Sequence, residues 1–252
     1  METQWSSTRY SLAPPGELPP CAIVYDLVPD TEILTETNLD GKRWYVKNGR
    51  PYPSITTVLS ATDVEGKKAL SRWRAAVGQE KADQISHAAA TNGTNWHNFC
   101  EMYLSGKPTW PYIRSPDDQR RAITIASVLN ANIRRVLFSE TRVTSDRYQV
   151  AGRMDLGVQL HDGRLAIVDF KTGKKQKSGN RLDGYALQTT FYADAMTERL
   201  GQPVDAIIIV QLLPDQIVWQ ESSASIWSTM LMERVKTFAT QVEQVLTPPP
   251  VL

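Results

Sequence analysis

AGRMDLGVQLHDGRLAIVDFKTGK, residues 151–174, is the stretch whose reading decides the fold. Two runs of alternating residues flank His161-Asp162-Gly163, the pattern of two antiparallel strands joined by a tight turn. If those three residues form the loop, with Gly163 in the left-handed conformation, Asp155 falls directly opposite Asp169. A two-residue Asp162-Gly163 turn would instead pair Leu156 with Asp169 and throw Asp155 to the other side. Asp169 and Lys171 are two apart on one strand and share a face. Chemistry that needs all three side chains together demands the first register, or a compensating bulge.

Working outward, TRVTSDRYQV (141–150) reads as the strand before this hairpin, giving three consecutive antiparallel strands. Arg181 to Leu200 reads as a helix, with Leu187, Phe191 and Ala195 on one face. VDAIIIVQLL (204–213) has the continuous apolar run of a strand buried on both faces, and QIVWQ (216–220) is a short partner after Pro214-Asp215. Trp227, Leu231, Val235, Phe238, Val242 and Val245 make the core stripe of a last helix, stopped by prolines 248–250. Upstream, WYVKNGRPYPS (44–54) predicts a short strand, a turn at Asn48-Gly49 and an extended segment to Pro53. Helices are predicted from a cap at Ser54 or Thr56, over Lys67–Gln84 and Gln84–Leu104, and from Pro116 to Phe138. Residues 1–40 show no sustained period and read as an irregular arm. The fold class is α/β, an α+β mixed sheet. An arm and short strand (1–50) precede one domain (51–252) with a helical wall (51–139), a core (140–222) and a C-terminal helix (223–247).

The chain has 252 residues, 41% apolar and 22% charged, enough to bury a real core. It has no apolar run of about 18 residues and no secretory pattern at its start, so an intracellular, cytoplasmic protein without a membrane partner is expected. Cys21 and Cys100 form no C-x-x-C pair, which gives no zinc ribbon, iron-sulfur framework or disulfide scaffold, and both read as buried apolar residues. The net charge of +1 announces no nucleic-acid partner, but its distribution matters more. Between residues 171 and 181 stand Lys171, Lys174, Lys175, Lys177 and Arg181 with no acid, interrupted by Gly173 and Gly179. Such a loop can follow a phosphate backbone; away from a catalytic strand it would read as a solvated run.

Two carboxylates on a sheet face, Asp155 and Asp169, make a hard oxygen site suited to Mg²⁺ or Mn²⁺. Lys171 beside them can orient water and stabilise charge on a phosphorane-like transition state. Alone, D-x-K is weak, because surface strands often alternate acid and base. Gly93, His97 and Glu101 are four apart, so on a helix they form one line with two potential ligands; a polar face with a tolerated glycine is the bland alternative. Tyr185, Gln188 and Tyr192 form another such line, and core packing of the tyrosines is its alternative. Trp73, flanked by Arg72 and Arg74, has the composition to stack a base, or to pack in a core.

Taken in order, G-x-x-x-H-x-x-x-E (93–101), G-x-x-D (152–155), D-x-K-T (169–172) and Q-x-x-x-Y (188–192) resemble the RecB-like branch of the PD-(D/E)XK nucleases. The preceding P-S-I-T-T-V-L, followed by R-W-R, narrows the resemblance to the family of the mitochondrial genome maintenance exonuclease and its phage and bacterial relatives. It spans roughly residues 51–220 and implies a restriction-endonuclease-like core. It also implies that Asp155, Asp169 and His97 hold the metal, Mg²⁺ or Mn²⁺, with Glu101 supporting it directly or through water. Lys171 would be the catalytic lysine, and Gln188 with Tyr192 would steady the centre. Ser54, Thr56, Arg153, Thr172 and Tyr185 join the DNA-contacting set with the basic loop and the Arg72–Arg74 segment. The cysteines that bind an iron-sulfur cluster in some relatives are absent, so no cluster is expected. The implied activity is a metal-dependent DNA exonuclease acting on DNA with a free end, single strands included. Phage or bacterial replication, recombination or repair is the implied setting, with room for a phage or host protein of those processes as partner. A structure-specific or restriction-type endonuclease and a non-catalytic DNA-binding module on the same fold are the rivals.

Overall fold

Local chemistry sets where the chain reverses in the computed structural model, which describes residues 4–246 apart from 31, 40 and 205. After β1 (Ser6–Ser11) and β2 (Val24–Tyr25), three strands, β3 (Thr35–Leu39), β4 (Lys42–Lys47) and β5 (Arg50–Pro53), form a small antiparallel sheet. Its β4–β5 turn has Asn48 and Gly49 both at positive φ, 51° and 78°, as a tight hairpin requires. Ser54 then caps α1 (Ile55–Thr62) by accepting from the Thr57 amide at 3.0 Å, a contact worth about 1 kcal/mol. Asp63 caps α2 (Val64–Val77). Gly78, at φ 84°, ends α2 and starts α3 (Gln79–Leu104), six residues before the boundary read at Gln84. Only glycine takes that backbone conformation without strain, which is why the break falls there.

A 3₁₀ turn (Trp110–Tyr112) leads to α4 (Pro116–Asn132), capped by Ser115 with proline in its first turn. The helix read to Phe138 stops six residues earlier. From Ile133 the chain is already β6 (Ile133–Ser145), because Ile133, Val136 and Phe138 pair across the sheet with Leu160, Val158 and Gly157. Cross-strand packing of β-branched and aromatic residues overrides their helical spacing. β7 (Val150–Leu160), β8 (Leu165–Thr172), α5 (Asn180–Leu200), β9 (Ala206–Leu212), β10 (Gln216–Ser222) and α6 (Ala224–Leu246) complete the chain. Prolines 248–250 lie outside the described residues, as does the side chain of Arg181.

The main sheet has seven strands in the order β1-β10-β9-β8-β7-β6-β2. β8 and β9 run parallel, with α5 as their crossover, and β2 runs parallel to β6; the other pairs are antiparallel. Residues 1–40, read as irregular, thus supply both edges of this sheet. Short polar strands such as SSTRYS carry no hydrophobic period, so pairing, not pattern, makes them strands. α3 and α4 cover one face, with Trp96, Phe99, Cys100 and Leu129 packed on Val168 and Phe170. α1, α5 and α6 cover the other, with Ile55, Leu187, Phe191 and Trp227 around Ile167 and Ile207. The expected helical wall is therefore narrower than read. α2 has no buried residue, and in the first half of α3 only Ala82 is buried. Both cysteines are free; Cys100 is buried and Cys21 half-buried.

Gly152 on β7 shows how tightly α5 is seated. A Cβ there would lie 2.6 Å from Cε1 of Tyr192 and 3.2 Å from both Ile55 and Phe191. Gly152→Ala should therefore lower stability by about 1–3 kcal/mol, the usual cost of overpacking a core. Chemical denaturation measures it, and an unchanged midpoint would show that α5 is free to shift.

Candidate active site

The β7–β8 hairpin has the register set by a three-residue loop. Leu156 faces Val168 and Gln159 faces Leu165, the Leu160 amide bonds to the Arg164 carbonyl, and Gly163 sits at φ 91°. The ladder runs no further than Leu156–Val168. Beyond it, side chains take the place of the missing strand. The Phe170 amide donates to Asp155 Oδ2 at 2.9 Å, and the Phe170 carbonyl lies 2.9 Å from Nε2 of His97, which α3 brings from the helical side. A carbonyl only accepts, so Nε2 carries the proton in that bond, and Nδ1 faces Asp155 Oδ2, 3.4 Å away. With a lone pair on Nδ1, these two atoms could hold a cation between them.

Asp169 and Lys171 point from β8 towards α5. Asp169 is 1% exposed, its carboxylate in ion-pair contact with the Lys171 ammonium, yet neither oxygen accepts a hydrogen bond of ordinary geometry. Burial, reinforced by repulsion from Asp155, outweighs the pull of Lys171 and pushes the Asp169 carboxyl up to about 6. Lys171 is held above its ordinary range: burial opposes its charge, but Asp169 and Asp155 prevail, so it is a cation at neutral pH. Above them Gln188 donates to the Tyr192 hydroxyl at 3.2 Å, and burial pushes that phenol far up, so it stays neutral. Tyr185 receives Lys171, whose Nζ lies 5.0 Å from the ring centroid.

One acid at the centre escaped the sequence reading. Glu140 lies on β6 between Ser139, paired with Leu156, and Thr141, paired with Met154, which sets it across from Asp155. The atoms that His97, Glu140 and Asp155 can offer a metal all lie within 4.8 Å of one another. Its φ of 49° is left-handed, rare for a residue other than glycine. Its carboxylate pairs with Arg153 at 3.1 Å, and burial followed by Asp155 raises its proton affinity. Its place opposite Asp155 follows from register shifts earlier in β6 that no sequence pattern marks. Glu101 adds to the negative field at Glu140 but is not in the group of three.

The other residues singled out in the sequence are more dispersed. Ser54 is 1% exposed and its hydroxyl caps α1, whereas Thr56 is exposed. Arg72, Trp73 and Arg74 lie on the stand-off helix α2, where Arg74 pairs with Asp83 at 3.3 Å. Gly93 brings α3 against Thr172, whose Oγ1 would lie 3.5 Å from a Cβ there. Lys174 and Lys175 are exposed, while Lys177 is folded back onto Tyr185.

The profile of the PD-(D/E)XK nuclease superfamily matches residues 67–245, and the chain belongs to that superfamily. Nuclease is therefore its class of activity, and such enzymes commonly depend on divalent metal ions. No curated protein matches the chain. A solved structure titled "Crystal structure of SSO0001" is similar over 75% of this chain and 74% of that one, at 13% identity and a TM-score of 0.43, a likeness too slight to carry an argument. No helix among the described residues is long and apolar enough to cross a membrane.

The residues present fit a divalent ion. Oδ1 of the buried Asp169 has no partner among the described residues, a costly state that a cation would relieve, and His97 is braced through its far nitrogen as metal-binding histidines are. Carboxylate oxygens are ligands for hard divalent cations. Glu140→Gln should weaken Mn²⁺ binding at least about tenfold, the low end of losses on disturbing a metal shell. Calorimetric titration reads it, and wild-type affinity would remove Glu140 from the site. If Asp169 joins His97, Glu140 and Asp155 as a ligand, protons and metal compete for it, and its raised pKa moves that competition up. Mn²⁺ affinity should be level above about pH 7 and fall by up to about tenfold per unit below about pH 6. An affinity flat down to pH 5 in the same titration would contradict the raised value.

Proposed function

We propose that the protein is a divalent-metal-dependent DNA exonuclease of the RecB-like branch, hydrolysing phosphodiesters at DNA ends in phage or bacterial replication, recombination or repair. One observation carries the nuclease chemistry: the cation seat of Asp155, His97 and Glu140 beside the buried Asp169–Lys171 pair. The order of motifs, with a helical histidine before the hairpin and Gln188-Tyr192 after it, supports the branch and, through it, action on ends.

Asp155, Asp169 and His97 would hold the ion, with Glu140 as a further donor. When bound, it supplies a Lewis acid that activates water and neutralises phosphate charge. Lys171, cationic at neutral pH, places positive charge where the pentavalent phosphorus gathers negative charge. Asp155 and His97, each anchored on the Phe170 backbone, cannot swing away from that point. Gln188 and Tyr192, hydrogen-bonded to each other on α5, would steady the centre. Exposed Lys174 and Lys175 meet the phosphates of the strand beyond the cleaved bond.

Digestion of single-stranded and duplex oligonucleotides, labelled at either end, beside circular single-stranded DNA, tests the reading in Mg²⁺ and in Mn²⁺. Linear DNA should shorten from an end while circles survive. Asp169→Asn and Lys171→Ala should each lose about 100-fold or more in turnover. Cut circles would make the protein an endonuclease, and binding without any product would make it a non-catalytic DNA-binding module.

A further inference from the structure

The continuous apolar strand β9 contains one amide, Gln211, 2% exposed and paired across the parallel ladder with Lys171. A buried amide must spend its donors and acceptor. Gln211 Oε1 accepts from the Lys177 amide at 2.8 Å, and its Nε2 donates to the Lys177 carbonyl at 3.0 Å. Its second amide proton goes to Oε1 of Gln220, itself 3% exposed, whose own amide reaches Ser7. The Gln211 side chain therefore pairs with the Lys177 backbone as a neighbouring strand would, at one residue of the basic loop. Further back in the loop, the Gly173 amide bonds to the Leu212 carbonyl at 3.3 Å.

Lys177 is thereby fixed where its ammonium lies 4.6 Å from the Tyr185 ring centroid and donates to the Tyr185 hydroxyl. The same ring carries Lys171 at 5.0 Å. Two cations share one aromatic ring, and of the two only Lys171 has a carboxylate within ion-pair distance among the described residues. We propose that Lys177 and Tyr185 form a seat for a second phosphate, the one next to the phosphodiester at Lys171, and that Gln211 is the positioning residue that holds this seat. The proposal rests on the DNA nuclease reading and adds a specific place on the substrate. It separates Lys177 from Lys174 and Lys175, whose exposed side chains meet phosphates without a fixed position.

The bracket predicts slow hydrogen exchange at the Lys177 amide, amid fast exchange at residues 174–176, in the unaltered 252-residue chain. Fast exchange at Lys177 would overturn it. Lys177→Met removes the ammonium and keeps the backbone, and Gln211→Leu removes the bracket and keeps the bulk. Each should weaken binding of an end-labelled oligonucleotide in EDTA, and raise KM, about tenfold, the weight of one charge-assisted contact, with kcat within about twofold. The double variant should be no worse than either single one, because Gln211 acts through Lys177. Multiplying losses, or a fall in kcat at unchanged KM, would make Gln211 a structural residue only. Should Gln211→Leu fail to fold, the exchange measurement and the KM of Lys177→Met decide alone, an unchanged KM overturning the seat. A parent chain that binds no DNA would overturn the nuclease reading and the seat together. Normal cleavage with normal binding by both variants would overturn the seat alone.

Discussion

Two neighbouring strands that part company one residue too soon are the constraint on which the centre depends. Where β7 leaves β8, the backbone of Phe170 would face nothing, and a buried peptide group without partners is expensive. A carboxylate and an imidazole fill the gap, Asp155 through Oδ2 and His97 through Nε2. The bonds that complete this part of the sheet also set His97 Nδ1 and Asp155 Oδ2 facing each other.

The opposite logic governs Asp169. It is on the regular part of β8, still in register with β9, and is buried beneath α5 with a lysine as its near neighbour. Burial disfavours its charge while Lys171 favours it, and burial prevails. On the same side of the sheet, the close seat of Tyr192 on Gly152 leaves no room for a side chain between them.

The hairpin was legible as a choice of two registers, because Gly163 serves either turn, and the three-residue loop then sets which residues face each other. The spacing of Leu187, Phe191 and Ala195 identified α5 for an equally local reason. Glu140 was not legible, since its place depends on irregular pairing of β6 with β7, whose register shifts before it and whose backbone turns left-handed at it. Gln211 hid in an apolar run because its partners are backbone groups 34 residues away, and sequence patterns carry no trace of such pairs. The N-terminal strands were lost for a related reason: a polar segment becomes a strand only when an edge is waiting for it. The boundary at Gly78 was readable from the glycine itself, but the helical period runs smoothly through it.

Those N-terminal strands also bear on what the sheet leaves open at its edges. Without β1, the row of amides and carbonyls along β10 would be open to any extended chain, and β10 carries the apolar side chains of Ile217, Val218 and Trp219. β1 covers that row with serine, threonine and arginine, a short and mostly exposed strip that offers the next chain little to pack on. At the far edge, β2 is only two residues long, and the Asp26 and Val28 amides extend its cover along β6. The segment with the least pattern in the sequence is the one that guards a seven-stranded sheet against pairing with its own kind.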